Sequence, residues 1–253
     1  ILLSYFVGLT QAGFYQVAVP LAGLVLYLGY AVSAVTTPLV SELLAQRKRK
    51  ELRIGIKLLH KYLFLGTAPA VAGLITFPEF FIGVFFGEKF LGGATALIIL
   101  SIGAAFYTIA YVNLGAIFGL GKPGLTTKIM LLTIILNAIL NILLIPHFGV
   151  IGAASATSAS YFFLLCASSY KINNFVGVKK QRWLWVKMIS VAIVLVVGIL
   201  VIKSMVNLSP LQELLLCIFS GGVIYAATLV VSGIVTLSEI KWLKDQLFLR
   251  KTK

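Results

Sequence analysis

From Ile129 to Tyr170 the chain carries no Asp, Glu, Lys or Arg, and Ile1 to Ser41, Phe90 to Gly121 and Leu214 to Ser238 are equally free of charge. A helix that crosses a bilayer needs about 20 apolar residues, because each adds ~1.5 Å and the hydrocarbon is ~30 Å thick. Every one of these runs is long enough. Charged residues make up 11% of the chain, where a soluble domain carries about 25%. No soluble core absorbs so much apolar chain, so the protein is expected to be all-α, a polytopic transmembrane helix bundle. Helices satisfy their own backbone hydrogen bonds, which lipid cannot do. A membrane barrel would alternate polar and apolar residues at every second position, and Val191 to Ile202 shows no such alternation.

Seven full spans can be drawn: Phe14–Leu44, Lys61–Phe86, Leu91–Leu120, Leu125–Ile145, Val150–Tyr170, Trp183–Met205 and Leu211–Val235. The run from Ile129 to Tyr170 is too long for one helix, and Pro146-His147-Phe148-Gly149 divides it, since proline breaks a helix ladder and glycine permits a tight turn. Before the first span, ILLSYFVGL is too short to cross and lacks the basic leader of a signal peptide. It reads as a helix stub whose beginning lies outside the chain, which makes the chain a C-terminal fragment on this expectation.

The basic residues fix the orientation. Of the 21 Lys and Arg, nineteen fall in alternate connections: Arg47 to Lys61, Lys122 and Lys128, Lys171 to Lys187, and the tail from Lys241. The other connections hold only Lys89 and Lys203. Cytoplasmic loops are enriched in Lys and Arg, so these loops and the C-terminus are expected in the cytoplasm of a multi-pass cell-membrane protein. The net charge of +14 then suits anionic membrane lipids and does not call for nucleic acid. Trp183 and Trp185 beside Arg182 and Lys187 have the make-up of an interfacial anchor. The stretch Arg47 to Lys61 fits either a surface-lying helical linker or a solvated charge run. Cys166 and Cys217 lie inside spans as small hydrophobes, with neither a disulfide nor a metal expected.

Several residues stand out against this apolar ground. Asn137 and Asn141, four apart, share a helix face. Amides in hydrocarbon are costly unless paired, so they either hydrogen-bond between helices or line a wet cavity. Gly152, Ala156 and Ser160 recur at spacing four, as do Gly115 and Gly119, which suits close helix packing. Glu79 is the one acid well inside a drawn span. An intramembrane acid is a candidate for ion coupling, although Glu79 follows Pro78 near the outer end, where an interfacial role is the alternative. Glu42, at the cytoplasmic end of the first span, is expected to pair with Arg47 or its neighbours. Lys122 and Lys128 flank Pro123-Gly124 at a cytoplasmic helix junction. They either set topology or, with helix N-terminal amides, receive an anionic phosphate. His60 and His147 are single loop histidines without a second ligand at metal spacing, and no cofactor is implied.

The segment Gly121 to Tyr161, with Gly-Lys-Pro, then Asn-x-x-x-Asn-x-x-Leu-Ile-Pro, then a run of Gly, Ala, Thr and Ser ending in Tyr, carries a resemblance. So do FVGLTQAGFYQVAVPL from Phe6 and FPEFFIGVFFGEKFLGGATAL from Phe77. Together these resemble the polysaccharide-export, oligosaccharidyl-lipid flippase branch of the multidrug/oligosaccharidyl-lipid/polysaccharide (MATE-like) transporter superfamily, over about Ile1 to Tyr170. The resemblance implies two six-helix lobes around a central cavity, with two helices added at the C-terminus. The chain would then supply the second lobe (1–170), a basic cytoplasmic loop (171–187), the two additional spans (183–235) and a basic tail (236–253). An N-terminal lobe would be missing and would be a partner. The function implied is transport, without covalent chemistry, of a lipid-linked oligosaccharide to the outer leaflet for surface polysaccharide assembly, by alternating access. The alternative is an ion-coupled exporter of organic cations from the same superfamily, whose cavity should be acidic. An enzyme is not expected: metal-dependent sugar transfer usually pairs acids, and the one aspartate, Asp245, is in the tail. A half-transporter that dimerises, or a scaffold, is a further possibility.

Overall fold

The structure, a computed structural model, describes residues 2–177, 182–206 and 209–234, with the side chains of Leu2, Arg182, Trp183 and Leu184 outside that set. The regular structure of these residues is helical throughout. In chain order the elements are α1 (Leu2–Val7), α2 (Leu9–Ala45), α3 (Arg49–Thr76), α4 (Pro78–Phe86), a 3₁₀ segment (Glu88–Gly93), α5 (Ala94–Gly119), α6 (Pro123–Val176), α7 (Arg182–Met205) and α8 (Pro210–Val231). Six of the helical segments are long and apolar enough to cross a membrane. The longest, α6, is two helices joined at a kink. Gly149 has φ 54 and ψ −127, a backbone region open to a residue without Cβ and costly to others. It divides α6 into a first arm, 123–148, and a second arm, 150–176. With both arms counted, the described residues hold seven helical segments of the length the expected crossings need, and the protein is a multi-span membrane protein.

The bounds differ from expectation where a break hides inside an apolar run. The second span does not run from Lys61 to Phe86. Its helix, α3, starts at Arg49 and ends at Thr76, so Arg49 to Lys61 is the first part of a long helix rather than a linker lying on the surface. Phe77 interrupts it with φ −128 and ψ 43, and Pro78 opens α4, where a missing N–H costs nothing. Likewise the second arm of α6 continues to Val176, beyond Tyr170. At the other end of α2, the Glu42 carboxylate accepts a hydrogen bond from Gln46 Nε2 at 2.9 Å.

The described residues form two compact units, 2–177 and 182–234. In the first, α5 is the hub, packed against α2 on one side and α6 on the other. The approach is close because the facing residues are small. A methyl group at Gly119 would lie 2.5 Å from the Thr37 carbonyl oxygen, and one at Gly29 would lie 3.1 Å from the Cα of Thr108. Hydroxyls use that closeness: Ser41 Oγ donates to the Gly119 carbonyl at 2.9 Å, Thr37 Oγ1 to that of Gly115 at 3.2 Å, and Ser158 Oγ to that of Ile99 at 2.8 Å. Interhelical hydrogen bonds of this kind are worth about 0.6 kcal/mol on average in membrane bundles. Gly152, Ala156 and Ser160 are all buried, so their spacing of four does mark a packed face.

The second unit is the pair α7 and α8. Gly198 and Gly221 admit Ile224 and Ile199 of the opposite helix, respectively. Ser209 and Gln212 form a capping box at the start of α8, and Lys187 Nζ donates to the Ser232 carbonyl at 2.7 Å. The anchor expected at Trp183 and the basic tail from Lys241 lie outside the described residues.

Candidate functional site

A cavity of about 400 Å³ opens in the first unit, lined by Tyr15 and Gln16 of α2, Asn137 and Asn141 of the first arm, and Ala153 and Thr157 of the second arm, with Leu3, Ala12 and Ile145 completing the wall. It forms where two helix breaks face one another. Gly8, with φ 86, separates α1 from α2. The side chain of Gln11, one turn further on, reaches Gly149, where a methyl group would lie 2.5 Å from its Oε1.

The amides are organised within their own helix. Asn141 Nδ2 donates to both the backbone carbonyl and the Oδ1 of Asn137, each at 2.9 Å. Both residues are half-buried. The pair bonds within its own helix rather than between helices, and both residues stand in the cavity lining. Across from it, Tyr15 Oη and Thr157 Oγ1 are 3.0 Å apart, tying α2 to the second arm. Tyr15, Gln16 and Thr157 were not singled out by sequence reasoning. Their signal is the polar pair Tyr15-Gln16 early in α2 and a hydroxyl, Thr157, near the middle of the second arm. The described lining holds amides and hydroxyls with no carboxylate and no cation. Such a wall binds neutral polar groups and offers nothing to neutralise a charge.

The remaining candidates lie elsewhere. Lys122 is exposed between α5 and α6, its Nζ 4.4 Å from the centre of the Phe175 ring. Lys128 is exposed in the second turn of the first arm. Asn137 is fourteen residues beyond Pro123, roughly 20 Å along the helix, so the lysines and the amides do not form one site. Glu79 is not inside a span: it is exposed in the first turn of the nine-residue helix α4. That places it at the opposite end of α5 from Lys122, and α5, with 26 residues, is ~39 Å long.

His60 is not in a loop either. It lies within α3, and its Nε2 is 2.6 Å from Oδ1 of Asn113 on α5. Asn113, buried, donates through Nδ2 to Ser169 at 3.0 Å and Ser168 at 3.4 Å on the second arm. One amide thus bridges three helices. Beside His60, Lys61 is buried in the bundle, with Nζ 5.6 Å from the Tyr62 ring centre. His147 is exposed at the end of the first arm.

Comparison with known proteins places this architecture. Residues 2–219 match the family described as lipid II flippase MurJ. The chain belongs to the MurJ family. The superfamily seen in the Gly-Lys-Pro and Asn-x-x-x-Asn segments is therefore right, and the MurJ family is one of transporters rather than enzymes. Among curated relatives, the chain is 32% identical over 226 residues to an uncharacterised membrane protein, MJ1068, of Methanocaldococcus jannaschii, covering 89% of this chain and 44% of that one. It is 26% identical over 226 residues to the probable low-salt glycan biosynthesis flippase Agl15 of Haloferax volcanii, covering 88% of this chain and 48% of Agl15. A solved structure of lipid II flippase MurJ in an inward closed conformation superposes with a TM-score of 0.70 at 18% identity, over 86% of this chain and 46% of that one. That likeness concerns the fold. The chain spans about half the length of the curated relatives it matches.

Proposed function

We propose that the chain is one lobe, with two additional C-terminal helices, of a flippase that carries lipid-linked oligosaccharide from the cytoplasmic to the outer leaflet of the cell membrane. The observation that carries this reading is the uncharged cavity that presents Tyr15, Gln16, Asn137, Asn141 and Thr157 within a bundle of the MurJ family. Moving sugars through hydrocarbon requires hydrogen-bonding groups along the route, while a polyprenyl tail can stay in lipid. Asn137 and Asn141 are the substrate-facing groups on this reading. Lys122 and Lys128, at the cytoplasmic rim, contact phosphate or anionic lipid headgroups. The basic connections and the C-terminus face the cytoplasm. A second lobe of the same protein closes the cavity, and rocking of one lobe against the other opens it alternately to each side. Glu79, exposed at the outer junction, serves as an interfacial group rather than an ion-coupling acid. Assignment to the polysaccharide-export branch rests on the motifs quoted above and on the glycan flippase among the relatives.

The cation-exporter alternative needs acids on the cavity wall, and the described lining has none. Deletion of the gene followed by analysis of surface glycans tests the proposal. Loss or truncation of a surface glycan, with accumulation of its lipid-linked precursor, is expected. Unchanged glycans together with new sensitivity to cationic dyes would refute it.

A further inference from the structure

Five tyrosines from three helices form one continuous strip in the first unit. Tyr30 of α2 stands edge-on to Tyr107 and Tyr111 of α5, at 6.4 and 4.8 Å between ring centres. Tyr107 stacks on Tyr111 at 5.6 Å and meets Tyr161 of the second arm at 4.7 Å. Tyr27 extends the strip from Tyr30 at 6.1 Å. Tyr161 lies one turn from Thr157 on the same helix face, so the strip runs into the cavity where Thr157 meets Tyr15.

Three properties decide what such a strip can do. It is not a fully buried packing cluster: Tyr107, Tyr111 and Tyr161 are half-buried, and Tyr27 and Tyr30 are 66% and 39% exposed. It is not an interfacial belt: Tyr27 and Tyr30 lie near the middle of the 37-residue α2, Tyr107 and Tyr111 near the middle of the 26-residue α5, and Tyr161 near the middle of the second arm. Aromatic belts sit at headgroup level, and a phenolic O–H facing acyl chains at mid-depth is costly. Lastly, it is uncharged. No Asp, Glu, Lys or Arg occurs in α2 before Glu42, in α5, or in the second arm before Lys171. These helices offer no counter-charge to a phosphate or to an organic cation.

We propose that this strip is the binding platform for the sugar rings of the transported headgroup. A pyranose has a face rich in polarised C–H bonds and a rim of hydroxyls. The negative face of an aromatic ring attracts the former, and a phenol both donates to and accepts from the latter. The strip therefore takes neutral pyranose rings, one on Tyr30 and Tyr107 and another towards Tyr161. The diphosphate stays with the basic rim. The inference rests on the flippase reading and specifies which part of the substrate this lobe holds.

The test uses the full-length protein in proteoliposomes and three probes: a polyprenyl diphosphate oligosaccharide, the same polyprenyl diphosphate without sugar, and the organic cation methyltriphenylphosphonium. Tyr30→Leu, Tyr107→Leu and Tyr111→Leu are each expected to weaken binding of the glycosylated lipid about tenfold and to leave the sugar-free lipid within about twofold. Tyr→Phe at the same positions keeps the ring and should lose less than about threefold. The Phe variants, with size-exclusion profiles for all six, separate binding from misfolding. Leu variants that bind the glycosylated lipid as wild type does, or that lose both lipids equally while remaining monodisperse, would overturn the platform alone. So would loss of methyltriphenylphosphonium binding without loss of the glycosylated lipid. Wild-type protein that translocates no lipid-linked oligosaccharide would overturn the flippase reading as well.

Discussion

Asn113 is the residue whose removal should cost the bundle most. Its side chain joins α5 to α3 through His60 and to the second arm through Ser168 and Ser169. Replacing it with alanine removes three hydrogen bonds. The serines lose little, since Ser168 already donates to the Leu165 carbonyl at 3.2 Å. The bond to His60, 2.6 Å long, weighs more, because a net hydrogen bond in a buried setting contributes about 0.5–1.5 kcal/mol. Adding two interhelical bonds at about 0.6 kcal/mol each gives an expected destabilisation of about 2–3 kcal/mol. The assay is reversible unfolding in mixed micelles by titration with SDS, read by the helical circular dichroism, because all three tryptophans lie outside the first unit. Asn113→Leu, which retains volume, should lose a similar amount and so separate hydrogen bonding from cavity formation. A double-mutant cycle between Asn113→Ala and Ser169→Ala should show a coupling of about 0.6 kcal/mol. An Asn113→Ala variant within about 0.5 kcal/mol of wild type, a difference typical of a surface substitution, would show that the three-helix bridge does not hold the bundle.

Gly119→Leu should destabilise by at least about 1–3 kcal/mol through overpacking against Thr37 and Val40, whereas Gly66→Ala, with open space around it, should be neutral or stabilising by up to about 1 kcal/mol; thermal unfolding in detergent checks both. Gly149→Ala should cost about 1–3 kcal/mol because its backbone conformation excludes a Cβ, read from the same melts. Asn137→Leu and Asn141→Leu should fold with unchanged size-exclusion profiles yet slow translocation of lipid-linked oligosaccharide at least about tenfold; normal transport by both would remove them from the site. Single cysteines at Lys50 and Lys89 should be labelled by a membrane-impermeant maleimide from opposite sides of the membrane, and labelling from the same side would overturn the orientation read from the basic loops.

The number of crossings was legible because charge-free runs leave few ways to satisfy a backbone in lipid, and the packing faces because small residues recur at spacing four. Other features depend on contacts that hydropathy does not encode. The break at Phe77 sits inside an apolar run, so Glu79 looked intramembrane although it opens a separate short helix. His60 follows a dense basic stretch and looked like a loop residue. Yet α3 begins at Arg49, and His60 finds its partner 53 positions away on α5. The tyrosine strip left only a faint trace, in the pairs Tyr27–Tyr30 and Tyr107–Tyr111 at helical spacing. Its continuity across three helices depends on how α2 and α6 flank α5.

The cavity's position follows from the cost of breaking a helix in lipid. An interrupted helix frees backbone donors and acceptors that hydrocarbon cannot satisfy, so breaks at membrane depth are tolerated where they face protein or water. The breaks at Gly8 and Gly149 both do so. They lie against each other through Gln11, and the polar wall of Asn137, Asn141, Tyr15 and Thr157 begins within two turns of them. Pro146 sits in the last turn of the first arm, before the kink. A proline followed by a glycine inside a long charge-free run therefore marks more than a turn between two spans. It marks the level at which the bundle can carry polar side chains, because the backbone there already requires a wet or protein-lined neighbour. The two asparagines lie about two and three turns before that break, on a stretch of the first arm where an uncharged amide pair meets a cavity.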